Sequence, residues 1–152
     1  MWSHYADEHK GVVFKIKCIE EKQSLLCAAL KVKYSDSYPN FGTVDDWAKL
    51  LRSGQFPDLN KSYDELITTK SIDWAYEKEW RMVFPRQKDK GKESVLLDFH
   101  PEEIETVFLG CRISETNKAL LLDLVKNKYP WIKILQAKKS ETEFRLHFYE
   151  EN

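Results

Sequence analysis

The chain has 152 residues, 42% of them hydrophobic, which is enough for one domain with a substantial core. Its 24 Lys and Arg residues nearly balance its 25 Asp and Glu residues, and the net charge of −1 argues against general nucleic-acid or membrane-surface binding. No apolar run approaches the roughly 20 residues that cross a bilayer, and the first residues lack the apolar core of a signal peptide.

Three cysteines, Cys18, Cys27 and Cys111, are widely spaced and form no C-x-x-C pair. This spacing argues against a disulfide framework and against a structural zinc site. We therefore expect three reduced core residues in a cytoplasmic protein.

The first ten residues predict a short helix that ends before Gly11, a residue type that commonly terminates helices. On such a helix Trp2, Tyr5 and His9 share one face. The two histidines of this segment, His4 and His9, are poorly spaced for joint metal binding, so no metal site is predicted. The ring-bearing face either docks the helix on a sheet or belongs to a binding site.

Two runs with strand-like patterns follow, at residues 12–18 and 25–34. In the second run apolar residues alternate with lysines, as in a half-buried antiparallel strand. Because only a short polar turn separates the two runs, we expect them to form a hairpin.

Two helices are predicted next by their N-terminal capping residues. Thr43, followed three residues later by an acid, opens a helix that Gly54 ends. Ser62 and Glu65 form the pattern of a capping box for a second short helix through Ile67.

The C-terminal part predicts strands at 95–99 and 106–110, a helix at 114–128 capped by its serine, and a hairpin of strands at 131–137 and 144–149. Taken with the earlier elements, this order predicts one α+β domain over residues 1–152. Its sheet is expected to be mixed but largely antiparallel, with three to four helices packed mainly on one side.

The stretch 73–84 is the most informative part of the chain, and it reads as a turn or short helix that leads into a strand. Every second residue from Trp80 is apolar and expected in the core, whereas Glu77, Glu79 and Arg81 share the other face. Two acids at this spacing repel, which predicts a raised carboxyl pKa unless a cation intervenes. This face is either a solvated surface with one ion pair or a functional carboxylate pair.

Four segments, at 2–11, 33–36, 74–81 and 108–110, together resemble a bacterial family that is catalogued as a domain of unknown function, DUF2971. The resemblance extends over about the whole chain and implies no established activity. Because members of that family carry a further N-terminal segment, it implies that residues 1–152 are the C-terminal part of a longer domain.

One functional hypothesis is an enzyme that acts on a nucleotide-like or sugar-containing ligand. The tripeptide 77–79 looks like the E-x-E of some ADP-ribosyltransferases, in which one carboxylate grips the nicotinamide ribose. Glu79 would be the catalytic carboxylate, Glu77 its partner and Arg81 an anion clamp. His4 or His9 would exchange protons near neutral pH.

The alternative is a non-catalytic module that binds a ligand or partner in a defence or stress context. Its recognition surface would be aromatic and Arg-containing, as hot spots often are, and would consist of Trp2, Tyr5, Trp74, Tyr76 and Arg81. Exposed rings would favour this hypothesis, and rings enclosed in a core would exclude it. The sequence names no cofactor and leaves the oligomeric state open.

Overall fold

The computed structural model describes residues 2–39, 42–54, 59–83 and 96–151. The predicted α+β class with a mixed sheet is confirmed. In chain order the helices and strands are α1 (Trp2–Tyr5), β1 (Val12–Ile16), β2 (Leu30–Lys31), β3 (Lys33–Ser35), α2 (Val44–Ser53), α3 (Leu59–Thr68), β4 (Thr69–Ser71), β5 (Trp80–Arg81), β6 (Ile104–Leu109), α4 (Glu115–Lys128), β7 (Lys133–Lys139) and β8 (Leu146–Glu150). None of these helices is long and apolar enough to span a bilayer.

The chain forms two compact units. One consists of Met1–Cys27 together with Asp89–Asn152, and we call it the sheet unit. The other, Ala28–Lys88, we call the inserted unit. That residues 1–152 form one domain stays a prediction.

The sheet unit contains a four-stranded sheet in the order β1-β6-β7-β8, in which only β6 and β7 are parallel. Helix α4 connects these two parallel strands. The apolar core lies between α4 and the sheet and is formed by Val107, Leu109, Val125, Ile132 and Ile134. The predicted buried strand at 106–110 and the predicted C-terminal hairpin are both confirmed.

The hairpin predicted from residues 12–18 and 25–34 is wrong. Strand β1 pairs instead with β6, so that Val12 lies opposite Leu109. The second run is divided into a 3₁₀ turn at Leu25–Ala28 and the short strands β2 and β3. Within the inserted unit, β2 pairs antiparallel with β5 and β3 pairs parallel with β4. Alternation along a strand shows which face is buried, but it carries no information about the partner strand.

The expectation of three reduced cysteines is also wrong, because Cys18 and Cys27 form a disulfide and only Cys111 is free. Two 3₁₀ turns, Glu20–Lys22 and Leu25–Ala28, fold the intervening segment back on itself. They bring the two Cα atoms within 5.3 Å, which lies in the range that a disulfide requires.

Helix capping was predicted correctly at two of three positions. The hydroxyl of Thr43 accepts the backbone N–H of Asp46, whose carboxylate accepts the backbone N–H of Thr43 in return. Ser114 likewise caps α4. The prediction of Ser62 as a cap is wrong, because α3 already begins at Leu59.

Residues 96–99 are not a strand, contrary to prediction. Val95, the first residue of that predicted strand, and Phe84, the last residue of the central stretch, lie outside the described residues.

Candidate functional site

The central stretch folds as a 3₁₀ helix, Ile72–Glu77, followed by β5, as the sequence predicts. Lys78 lies between them in the left-handed conformation, with φ of 49°, and this redirects the chain into the strand. The prediction that Trp80 lies in the core is wrong, because its side chain is 62% exposed. Strand β5 has only two residues and is too short to bury a full apolar face.

Four charged side chains meet in the inserted unit: Lys70, Glu77, Glu79 and Arg81. We call them the charge network. The Lys70 ammonium donates hydrogen bonds to the carboxylates of Glu77 and, at 3.1 Å, of Glu79. The Arg81 guanidinium donates two hydrogen bonds to the Glu79 carboxylate, from Nε at 2.7 Å and from Nη2 at 3.2 Å. Its Nη1 donates a third hydrogen bond to the backbone carbonyl of Ile67. Two carboxylates and two cations therefore neutralise each other.

These contacts set the protonation of the network. The hydrogen bonds from Arg81, and then those from Lys70, lower the pKa of Glu79 to about 2 against the opposing effect of burial. Glu77 raises the pKa of Lys70, and Glu79 raises the pKa of Arg81. The crowded acids were expected to raise a carboxyl pKa only where no cation intervenes. At Glu79 the cation is Arg81, and Lys70 adds a second one that the sequence pattern did not reveal, so the pKa falls instead.

The backbone of Glu79 is held by Tyr34 of β3 and by Val32, which lies between β2 and β3. Its N–H donates to the hydroxyl of Tyr34 on β3 at 2.8 Å, and its carbonyl accepts from the N–H of Val32 at 3.0 Å. Both contacts come from residues more than 40 positions away. The carboxylate of Glu79 is thus fixed in place at its backbone as well as by its side-chain partners.

Two exposed aromatic rings adjoin the charge network. The Lys70 ammonium lies 5.0 Å from the centre of the Trp74 ring, in cation–π geometry. The ring of Tyr76 lies 6.0 Å from that of Trp74. Trp74 is 42% exposed and Tyr76 is 59% exposed. Both rings are therefore accessible to a ligand, which is the condition set by the binding hypothesis.

A pocket of about 240 Å³ opens between the residues that follow β3 and strand β4. Lys70 lines this pocket and so connects it to the charge network. Apart from Lys70 and Pro39, its lining residues all carry a hydroxyl or carboxylate group: Ser35, Asp36, Ser37, Tyr38, Thr69 and Ser71. Sequence reasoning missed this pocket, Lys70 and the role of Tyr34. The only signal in the sequence was that residues 33–36 are one of the four segments that carry the family resemblance.

The N-terminal motif lies in the sheet unit and is not one helix. Helix α1 ends at Tyr5, and Asp7, Glu8 and His9 follow as three consecutive left-handed residues. The predicted helical face that includes His9 is therefore wrong. The His9 ring instead stacks parallel to that of Trp2, which also contacts Phe148 of β8.

The predicted site residues thus fall into two groups. Glu77, Glu79, Arg81, Trp74 and Tyr76 lie together in the inserted unit. The other four lie in the sheet unit, where Trp2 and His9 stack and His4 and Tyr5 are exposed, and their functional roles stay predictions: Trp2, His4, Tyr5 and His9.

Within the ranges that the structure covers, no three His, Cys, Asp or Glu residues are arranged to hold a metal ion. The described side chains therefore suggest no ligand set for one.

One protein family has a sequence profile that matches residues 1–82, just over half of the chain, and that family is described as Protein of unknown function (DUF2971). The matched region contains the complete charge network. Comparison with curated proteins and with solved structures finds no match. The chain belongs to the DUF2971 family.

Proposed function

We propose that the inserted unit is a binding module for a small hydroxyl-rich ligand, namely a sugar moiety that is free or part of a nucleoside. The observation that carries this proposal is the exposure of Trp74 and Tyr76 beside Lys70, since the same lysine also lines the pocket. Rings next to polar groups bind sugars by packing against their C–H faces while the polar groups bind the hydroxyls.

The pocket chemistry favours a neutral polar group over a phosphate. Serine and threonine hydroxyls both donate and accept hydrogen bonds, and Asp36 accepts them, as a sugar requires. The four charges of the network cancel, and Lys70 already serves two carboxylates. The pocket volume of about 240 Å³ is below the roughly 300–1,000 Å³ of drug-sized sites, so the pocket fits one sugar-sized group.

A second candidate is an enzyme in which Glu79 assists cleavage of a glycosidic bond, as in ADP-ribosyltransferases. The low pKa of Glu79 favours it, because an ionised carboxylate stabilises positive charge that develops on a sugar. The same pKa argues against an acid–base role for Glu79 near neutral pH. Because Glu79 already accepts three hydrogen bonds from two cations, its charge is largely compensated, and we rank binding first.

The test is a calorimetric titration with ribose, adenosine, NAD and inorganic phosphate, using Trp74→Ala and the matched control Trp131→Ala. Trp131 is a similarly exposed tryptophan, at 49%, in the sheet unit. Loss of a stacked ring costs about 1–3 kcal/mol, so we expect Trp74→Ala to weaken adenosine binding at least about fivefold. Trp131→Ala should bind normally.

Equal affinity of wild type and Trp74→Ala for every sugar-bearing probe would contradict the proposal, as would tight binding of phosphate alone. Turnover of NAD that disappears in Glu79→Gln, with binding retained, would support the enzyme instead.

A further inference from the structure

The two edges of the sheet in the sheet unit differ in how they are protected. At one edge, the pairing of β1 with β6 shifts register between Lys15 and Ile16, and Lys15 and Lys17 add charge there. Irregular pairing and lysines at an edge are among the devices by which natural sheets prevent edge-to-edge pairing. At the other edge, β8 pairs with β7 in unbroken register and contains neither lysine nor proline. Strand β8 therefore retains a regular edge.

The hydrogen bonds that flank the β7–β8 pair show which residues of β8 face outward. The carbonyl of Arg145 accepts from Ser140, and the N–H of Glu151 donates to Ile134. Odd-numbered residues of β8 thus direct their backbone groups toward β7, because these directions alternate along an antiparallel strand. Leu146, Phe148 and Glu150 consequently present theirs to the outside. Among the described residues no strand pairs with that side.

We propose that this edge pairs antiparallel with β8 of a second copy of the chain, with the two-fold axis at Phe148. Side-chain charge selects this register. It places Arg145 of each copy opposite Glu151 of the other, so that two ion pairs form by symmetry. A register centred on His147 would place Glu143 opposite Glu151, and like charges directly opposite each other are destabilising.

The remaining contacts fit the same arrangement. Leu146 and Glu150 face each other across the axis, and each outward-facing residue exchanges two backbone hydrogen bonds with its opposite residue. In one copy Arg145 pairs with the exposed Glu143, and Glu151 pairs with Lys118 at 2.8 Å. The Arg145–Glu143 pair is exposed and the Lys118–Glu151 pair is partly exposed. Both pairs can therefore take part in a wider cluster, and dimer formation leaves no buried charge without a partner.

The experiment is sedimentation equilibrium from about 1 µM to about 1 mM, since pairing through one short strand gives modest affinity. The variants are Arg145→Glu and Glu151→Arg, alone, mixed in equal amounts and combined in one chain. Each variant alone sets like charges against each other at both ends of β8. In the mixture and in the double variant the opposite charges meet again.

We expect the wild type to dimerise, each single variant to dimerise at least about tenfold more weakly, and the mixture and double variant to recover. Glu150→Pro, which removes one outward N–H without breaking a bond to β7, should also give monomers, and circular dichroism should show each variant folded. A wild type that stays monomeric throughout, or a mixture that does not recover, would overturn the proposal.

Discussion

Replacing Glu79 with Gln tests whether the charge network stabilises the inserted unit as its geometry indicates. The substitution keeps the side-chain size but removes the charge that Arg81 and Lys70 share. A pKa lowered from the ordinary 4.5 to about 2 corresponds to about 3 kcal/mol for a fully shielded carboxylate. Because the Glu79 side chain is 29% exposed, solvent screening reduces the expected loss to about 1–2 kcal/mol at neutral pH.

The pH dependence of this loss is the stronger part of the test. Between pH 4.5 and about 2 the unfolded chain binds a proton at Glu79 that the folded chain does not, so the wild type is destabilised as the pH falls through this window. Above pH 4.5 the contribution of Glu79 is fully present. Glu79→Gln lacks this titration, and the difference in stability between the two proteins should therefore shrink from pH 7 to pH 3.

The assay is urea unfolding at both pH values, together with hydrogen exchange of the Val32 and Glu79 amides, which report on the site locally. Glu105→Gln is the control, because Glu105 has one cationic partner, Lys15, at the surface of the sheet unit. It should lose less stability than Glu79→Gln. A stability difference for Glu79→Gln that is the same at pH 3 and pH 7 would refute the assignment of the low pKa.

Two further predictions concern residues of the sheet unit, with Gly54 of the inserted unit as a control in the first. In thermal melts, Gly110→Ala should destabilise the protein by about 3 kcal/mol or more, because a Cβ there would lie 2.0 Å from the carbonyl oxygen of His9. Gly54→Ala is the control and should cost only about 1 kcal/mol, because a Cβ at Gly54 would meet no atom within 4 Å and only the φ of 67° is unfavourable. Cys18→Ser should lose about 2.5 kcal/mol, the entropy of a loop closed across nine residues, and a reducing agent should lower the melting temperature of the wild type but not of the variant. Equal melting temperatures of the two alanine variants would contradict the first of these predictions, and an effect of the reducing agent on Cys18→Ser would contradict the second.

The sequence predicted correctly the features that depend on residues close together in the chain, such as helix caps and a hairpin with a short turn. The caps of α2 and α4 were read from Thr43 and Ser114, because a capping residue bonds to backbone only three positions away. The C-terminal hairpin was read from two patterned runs across a short turn. The resemblance in four short segments also predicted the family correctly.

The failures concern contacts that depend on how the chain turns between the partners, or on which strands become neighbours. Strand β1 pairs with β6, about 95 residues later, and nothing in residues 12–18 indicates that partner. Lys70 reaches Glu77 and Glu79 only because the 3₁₀ helix between them turns the chain back. The disulfide depends on two 3₁₀ turns in the same way. Hydrophobic periodicity predicts which face of a helix or strand is buried. It does not predict how helices, strands and turns are arranged in space, and these contacts depend on that arrangement.

The charge network has a physical cost that bears on the choice between a structural and a functional role. Four charged side chains at 8–30% exposure give up hydration, and apolar replacements of such groups are often as stable or more so. Stability alone is therefore a weak reason for this arrangement. The charge network also holds Lys70 over the Trp74 ring beside a pocket lined by hydroxyl-bearing residues, and apolar residues in its place would not do so. If Glu79→Gln weakens sugar binding by more than its loss of stability explains, the network orients a binding site; if binding is unchanged while stability falls, its role is structural.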